Sequence, residues 1–340
     1  MATNKAIFKR LTMKKTRLPT NAVVAVTLNC NSRCVMCDIW KNRITNELKP
    51  EEFRKLPTSL RDINITGGEP FLRADLPEIV GILKQTAPKS RLILSTNGFL
   101  PRVTEKLTPE ILKIDPHFAV RVSLDGWKET HDRIRRIPNG FKIAMESLEI
   151  LRKAGVKDLG IGFTIMQGNL NDLEKVFEFS KKEGLELSLT LVTNSPIYFG
   201  EGKESLRPDN QNEVKKYLNR VIVKRFQSIS SKEWFRGWFE EQLLNYYLTH
   251  DRPLTCDAAE NFFYLDSLGN VFACHIKNWL LGNIRKNTFE EIWKSKRAKT
   301  IRENVKKCND CWMVCTAKTA MRAHLAKIAV EVFGKKMAIL

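Results

Sequence analysis

Eight cysteines, at positions 30, 34, 37, 256, 274, 308, 311 and 315, are the residues of this 340-residue chain best suited to chemistry. None lies between 38 and 255, so they form two groups, three near the start and five in the last quarter. A secreted disulfide framework usually sits in a short chain behind a signal peptide, and the sequence offers neither. Clustered cysteines in a reducing compartment are metal ligands or redox groups, and soft thiolates favour zinc or iron–sulfur clusters. The first group reads Cys30-Asn-Ser-Arg-Cys34-Val-Met-Cys37. Four thiolates saturate a structural zinc or a closed cluster, whereas three leave one metal position open to a substrate. In the second group Cys256 is followed by Gly269, four residues and Cys274, then by Cys308-x-x-Cys311-x-x-x-Cys315. A structural zinc is the plain alternative there.

These ligands need a scaffold, and the chain reads as alternating strand and helix. Short β-branched or apolar runs at 22–28, 62–66, 91–95, 118–124, 159–166 and 185–192 suit parallel strands covered on both faces. Helical periodicity lies between them over 76–85, 143–153 and 171–182, with Gly155 and Gly184 where C-caps belong. Such β–α repeats imply a parallel sheet with right-handed crossovers. Periodicity alone leaves open a doubly wound sheet or a partial barrel. The first cysteine group follows the first strand, at the end where such sheets and barrels place their sites. Beyond Thr193 the rhythm breaks. A loop rich in Gly, Pro, Ser and Asn spans 194–207, helices follow near 211–226 and 232–248, and Ser267-Leu268-Gly269-Asn270 marks a hairpin.

Composition excludes several classes. With 43% hydrophobic and 28% charged residues the chain is neither disordered nor fibrous. No apolar run approaches the ~20 residues that span a bilayer, and no signal peptide is visible. A cytoplasmic protein is expected, with the inner face of the membrane as a further location. The net charge is +19, but residues 1–20 carry six Lys or Arg and no acid, and residues 294–340 carry twelve against three acids. The excess therefore belongs to the termini, which could meet phosphates, anionic lipid or acidic protein, or be solvated.

The first cysteine group resembles the motif of the radical S-adenosylmethionine (radical SAM) superfamily. The resemblance implies that Cys30, Cys34 and Cys37 hold a [4Fe–4S] cluster whose fourth iron is chelated by S-adenosylmethionine (SAM). Thr66-Gly67-Gly68-Glu69-Pro70, closing the second strand, resembles the family loop that meets the methionine amino group. Two glycines let backbone approach a ligand closely, and a carboxylate or carbonyl accepts from an ammonium group. The resemblance further places Asn97, Ser123 and Asp125, at the ends of the third and fourth strands, and Arg135 around SAM. A guanidinium fork suits the SAM carboxylate, with a surface salt bridge as the alternative for Arg135. No Glu follows Gly160-Ile161-Gly162, where some members have one, so the adenine contacts are left to the backbone of 189–192. The implied architecture is α/β: a partial (β/α)6 TIM-like barrel followed by a small α+β auxiliary-cluster domain. The implied organisation is a basic segment 1–20, the barrel 21–195, linker helices and cluster domain 196–320, and a basic amphipathic tail 321–340. The implied chemistry is reductive cleavage of SAM to a 5′-deoxyadenosyl radical that abstracts hydrogen from a substrate.

The second cysteine group resembles the auxiliary-cluster domains called SPASM and Twitch. With five cysteines rather than seven it looks like the shorter type, carrying one [4Fe–4S] cluster. Cys256 and Cys274 are implied ligands, Cys308 and Cys311 complete the set, and Cys315 is left over or replaces one of them. Such a cluster can take the electron left on a substrate after hydrogen loss, making the protein an oxidoreductase, or it can brace the domain. Only residues 1–20 precede the barrel, too few for a leader-peptide recognition domain, which tips the expectation to a carbohydrate or lipid-like metabolite. A ribosomally made peptide, RNA modification, or a noncatalytic zinc protein binding nucleic acid are the alternatives; confinement of charge to the termini argues against nucleic acid as a specific partner. No catalytic base is assigned. A flavodoxin or ferredoxin is the implied electron donor. In the tail, Met321, Leu325, Ile328, Ala329, Val332 and Phe333 fall on one helical face. That helix, with Ala6, Ile7, Phe8 and Leu11, is expected either to lie on an anionic membrane or to pack on its own protein. His275 and Trp312 read as packing residues.

Overall fold

The computed structural model describes residues 17–339, so Ala6, Ile7, Phe8 and Leu11 lie outside the described residues. Six parallel strands, β1 (Asn21–Thr27), β2 (Asp62–Gly67), β3 (Arg91–Thr96), β4 (Ala119–Ser123), β5 (Asp158–Ile165) and β6 (Glu186–Leu191), pair in sequence order. Helices α1 (Leu76–Thr86), α2 (Pro101–Ile114), α3 (Glu129–Arg135), α4 (Gly140–Lys153) and α5 (Leu170–Lys182) alternate with them. This is the partial barrel, with an open rather than closed sheet. Helices α6 (Gln211–Gln227) and α7 (Ser231–Thr249) follow, then β7 (Phe262–Leu265), β8 (Asn270–Phe272) and β9 (Leu280–Asn283). β7 pairs parallel to β1, and β8 and β9 continue antiparallel, so nine strands form one sheet. The chain closes with α8 (Phe289–Lys294), α9 (Lys296–Lys306), α10 (Val314–Ala323) and α11 (Leu325–Ile339).

The strands differ from the expected pattern in one respect that matters for the site. Of the six barrel strands only β1 is buried at every position. In β2 and β3, buried Ile63, Ile65, Leu92 and Leu94 alternate with half-exposed Asn64, Thr66, Arg91, Ile93 and Ser95. The first set packs in the hydrophobic core, and the second lines a cavity inside the barrel. Two-sided burial fails because the inner face meets a chamber and not a filled core. Helix α10 packs against β1, β6 and β7, filling the side that six strands leave open.

The tail also departs from expectation. It is two helices, broken at His324. Ile328 and Val332 are buried, and α11 packs on α6 and α7. Leu325, Val330, Phe333 and Met337 are exposed. The apolar residues expected on one face are therefore divided between a packed side and a solvent-facing side. Lys336, on the packed side, donates to the carbonyls of Gln227 and Ser228.

Candidate active site

The cysteine loop leaves the end of β1 and is pinned by its neighbours. Val35 N–H donates to the Ile134 carbonyl (3.0 Å) and Asp38 N–H to the Phe199 carbonyl (2.8 Å). Cys30, Cys34 and Cys37 all line one cavity of about 940 Å³. Donors point at their sulfurs. Ser32 N–H reaches Cys30 Sγ (3.5 Å), Arg135 Nη1 reaches Cys34 Sγ (3.6 Å), and Ser32 Oγ lies 3.1 Å from Cys34 Sγ. Burial pushes the Cys30 thiol up to about 11 and the Cys37 thiol up to about 12. Near neutral pH these thiols keep their protons until a cation displaces them, as metal ligation does. Sulfur donors of this kind, with N–H groups aimed at them, fit an iron–sulfur cluster.

The glycine loop presses directly on the cysteine loop. A Cβ on Gly68 would sit 2.0 Å from the Asn29 carbonyl oxygen and 2.9 Å from Cys30 Cβ. Gly67 has φ +143°, and a Cβ there would sit 2.0 Å from the Thr27 carbonyl oxygen. Gly68→Ala is therefore expected to displace Cys30, lowering iron bound per chain after anaerobic reconstitution while the β-sheet signal in circular dichroism persists.

Of the expected SAM-contacting residues, Gly67, Gly68, Asn97, Ser123 and Arg135 line the cavity. Glu69, Pro70 and Asp125 are buried beside it and not on its wall. The reason is local. Glu69 accepts hydrogen bonds from Phe71 N–H (3.1 Å), Thr96 Oγ1 (2.8 Å) and Asn97 N–H (2.7 Å), tying the ends of β2 and β3 together. Burial lifts its carboxyl to about 7 against these donors. Asp125 accepts from Thr164 N–H (2.7 Å) and pairs with Arg135 Nη2 (2.5 Å). Arg135 is thus no surface bridge. Burial opposes its charge, but Asp125 and Cys34 hold its pKa above the ordinary value. Its Nε is buried without a partner in a residue that faces the cavity, which leaves a donor for a ligand. His131 accepts from Asp125 N–H through Nδ1, and burial then Arg135 lower its pKa to about 3, so the ring is neutral.

The second cysteine group reaches the same cavity only through Cys315. Cys256, Cys274 and Cys311 are buried, and Cys308 and Cys315 half-buried. The amides of Ile276 and Lys277 point at Cys274, and Arg252 Nη1 lies 3.7 Å from Cys311 Sγ. Burial raises Cys256 and Cys308 to about 11 and Cys274 higher still. The donor chemistry repeats that of the first loop, so these residues also fit a cluster. Among the described residues no three His, Cys, Asp or Glu side chains are placed to hold a single metal ion. Cys315 lines the cavity, with its sulfur 4.0 Å from His275 Nδ1.

Tyr198, His275 and Arg121 are among the cavity residues that escaped the sequence. Tyr198 comes from the segment read as a linker; its hydroxyl donates to the Gly67 carbonyl (2.7 Å) and lies 3.0 Å from Thr66 Oγ1. The run Ile197-Tyr198-Phe199 inside a polar loop was its one signal. His275 lines the cavity beside Cys315 instead of only packing. Arg121 was hidden as a charge within a strand. Trp312 does pack, stacked on Phe239 with Nε1 donating to its carbonyl.

Known proteins place the chain further. Residues 24–180 match the model of the radical SAM superfamily, and residues 256–312 match SPASM, an iron–sulfur cluster-binding domain. The latter range holds Cys256, Cys274, Cys308 and Cys311 but ends before Cys315. The chain is 27% identical to Fe-coproporphyrin III synthase of Methanosarcina barkeri, over 88% of this chain and 82% of that one. It is 26% identical to mycofactocin maturase MftC of Mycobacterium tuberculosis, over 79% and 69%. The fold is similar to native anSMEcpe with bound AdoMet (TM-score 0.63, 18% identity, 94% and 99% covered). It is also similar to Streptococcus suis SuiB bound to S-adenosylmethionine (TM-score 0.66, 12% identity, 92% and 76% covered).

Proposed function

We propose that this chain, a member of the radical SAM superfamily with a C-terminal SPASM iron–sulfur domain, is an oxidoreductase that removes hydrogen from a carbohydrate or lipid-like metabolite held inside its barrel. The observation that carries this reading is the single cavity of about 940 Å³ lined by Cys30, Cys34 and Cys37 and, elsewhere on its wall, by Cys315 beside the second cysteine group. When bound, the [4Fe–4S] cluster and SAM supply one-electron chemistry that opens a carbon–sulfur bond of SAM and takes a hydrogen atom from the substrate.

The protein's own residues hold and shield that chemistry. Cys30, Cys34 and Cys37 are the ligands of the first cluster, and Cys256, Cys274, Cys308 and Cys311 those of the auxiliary one. Arg135, fixed by Asp125, offers its free Nε to the SAM carboxylate. Gly67 and Gly68 bring backbone against the SAM amino group, while Asn97 and Ser123 border the sugar. Helix α10 excludes water from the open side of the barrel. Cys315 stands between the chamber and the auxiliary ligands, on the route by which an electron would leave the substrate. A flavodoxin or ferredoxin supplies the reducing electron.

A peptide substrate is the second reading, favoured by the relative that is named a maturase. No described helix is long and apolar enough to cross a membrane. The exposed apolar residues of α11 are the surface on which peripheral membrane contact would rest. The discriminating experiment supplies deuterated candidate metabolites or peptides with SAM and dithionite under anaerobic conditions. Deuterium in 5′-deoxyadenosine identifies the class that gives up hydrogen. Label transfer from peptides alone would overturn the metabolite reading.

A further inference from the structure

The far end of the cavity, away from the cysteine loop, is ringed by charge. Asp62, Arg91, Asp158 and Glu186 are the first residues of β2, β3, β5 and β6, and all line it. With a rise of about 3.3 Å per residue, this ring stands roughly 15 Å from the glycine and cysteine loops at the other strand ends. Each carboxylate there is shared by two cations. Asp158 pairs with Arg91 (2.5 Å) and Arg121 (2.6 Å). Glu186 pairs with Lys232 and Arg236 from α7. Asp62 pairs with Lys318 and Arg322 (3.8 Å) from α10.

Three carboxylates thus face six cations. Arg236 also meets Glu233 (3.4 Å), but Arg225 and Lys181 balance Glu233 and Glu240, so the excess of three positive charges remains. An ion-pair network that served structure alone would gain by neutrality, because like charges brought together in a half-buried site repel. Here burial, against the neighbouring carboxylates and helped by nearby guanidinium groups, bears on the cations: Arg236 is lowered to about 10, and Lys232 and Lys318 are lowered as well. Two of the six, Lys318 and Arg322, belong to the basic C-terminal stretch, so part of that excess charge is turned toward the chamber. Between ring and cysteine loop the strands present a mostly polar wall, Asn64, Ser95, Thr164, Ser188 and Thr190 with Ile93 among them.

We infer that this ring is the subsite for an oxyanion carried by the substrate, so that the substrate has a phosphoryl or carboxylate end and its reacting carbon less than about 15 Å from that end. This deepens the proposed function and rests on the cavity being the substrate chamber. Arg91, Arg121 and Arg322 offer forks suited to phosphate or carboxylate oxygens, and Lys318 a point charge.

The test is calorimetric binding of inorganic phosphate and, separately, of tricarballylate to the anaerobically reconstituted full chain. Saturable binding is expected, weakening as salt rises. The tighter probe tells whether the substrate end is phosphoryl or carboxylate. Lys318→Gln/Arg322→Gln, and independently Arg91→Gln, are expected to weaken binding about tenfold or more. Arg152→Gln, a surface residue paired with Glu149 and Glu183, serves as the control and is expected to bind as wild type. Failure of both probes to bind wild type, or binding unaltered in folded Lys318/Arg322 and Arg91 variants, overturns the inference. Neither probe needs turnover, so that failure would leave SAM cleavage intact, and a lack of SAM cleavage would leave oxyanion binding measurable.

Discussion

Cys34→Ala is expected to reduce 5′-deoxyadenosine formation to the level seen without enzyme, with iron content falling by one cluster. Loss of an outer partner of a metal site costs about 10–100-fold, and loss of a ligand itself should exceed that. The position adds to the effect. Cys34 is buried, and its sulfur meets both Arg135 Nη1 and Ser32 Oγ. Alanine removes the ligand and strands the Arg135 Nη1 donor beside the site, while the Ser32 hydroxyl keeps the Arg135 carbonyl. Cys34→Ser restores an acceptor for that donor but replaces a soft ligand with a hard one. It is expected to be equally inactive, which separates ligation from packing. Iron quantitation with chromatographic detection of deoxyadenosine checks both variants.

Asp125→Ala carries the largest expected loss of stability, about 3–5 kcal/mol, because it leaves the buried Arg135 charge without its partner. The Thr164 amide loses its acceptor as well. A urea unfolding midpoint measured on the apo protein reads the effect without interference from bound clusters. A loss below about 1 kcal/mol would mean that Arg135 finds water or another acceptor, as exposed pairs do. The same variant bears on the site, since Asp125 fixes the guanidinium that reaches Cys34.

The contrast between these two residues shows which features the sequence displays. Cys30, Cys34 and Cys37 are legible because ligands of one cluster must lie close together on one loop, and because Gly67 and Gly68 must lack side chains where the loops touch. The strands and most barrel helices are legible from apolar runs and periodicity. Roles that depend on closure of the barrel are not. Asp125 and Glu69 are visible at strand ends, but that their carboxylates hold the amides of Thr164, Phe71 and Asn97 is decided only by three-dimensional neighbours. Nothing in the sequence joins Asp62, Arg91, Asp158 and Glu186, which lie far apart along the chain. Curvature of the sheet, with α7 and α10 laid across it, turns them into one ring. Tyr198 joins the site from an irregular loop 131 residues beyond the glycine whose carbonyl it holds, a separation at which no periodicity applies. The tail helix misleads in the opposite sense. Its periodicity is clear in sequence, but His324 divides it and α6 and α7 cover only part of its apolar surface.

Everything proposed for the chamber depends on its cysteine loop supporting SAM cleavage. The most direct measurement is anaerobic reconstitution of the wild-type chain with iron and sulfide, followed by dithionite and SAM and chromatography for 5′-deoxyadenosine. The predicted result is deoxyadenosine from wild type alone, absent in the Cys30→Ala/Cys34→Ala/Cys37→Ala variant, with about eight irons per wild-type chain from two four-iron clusters. No deoxyadenosine, with zinc bound and no sulfur-to-iron charge-transfer absorption, would contradict it.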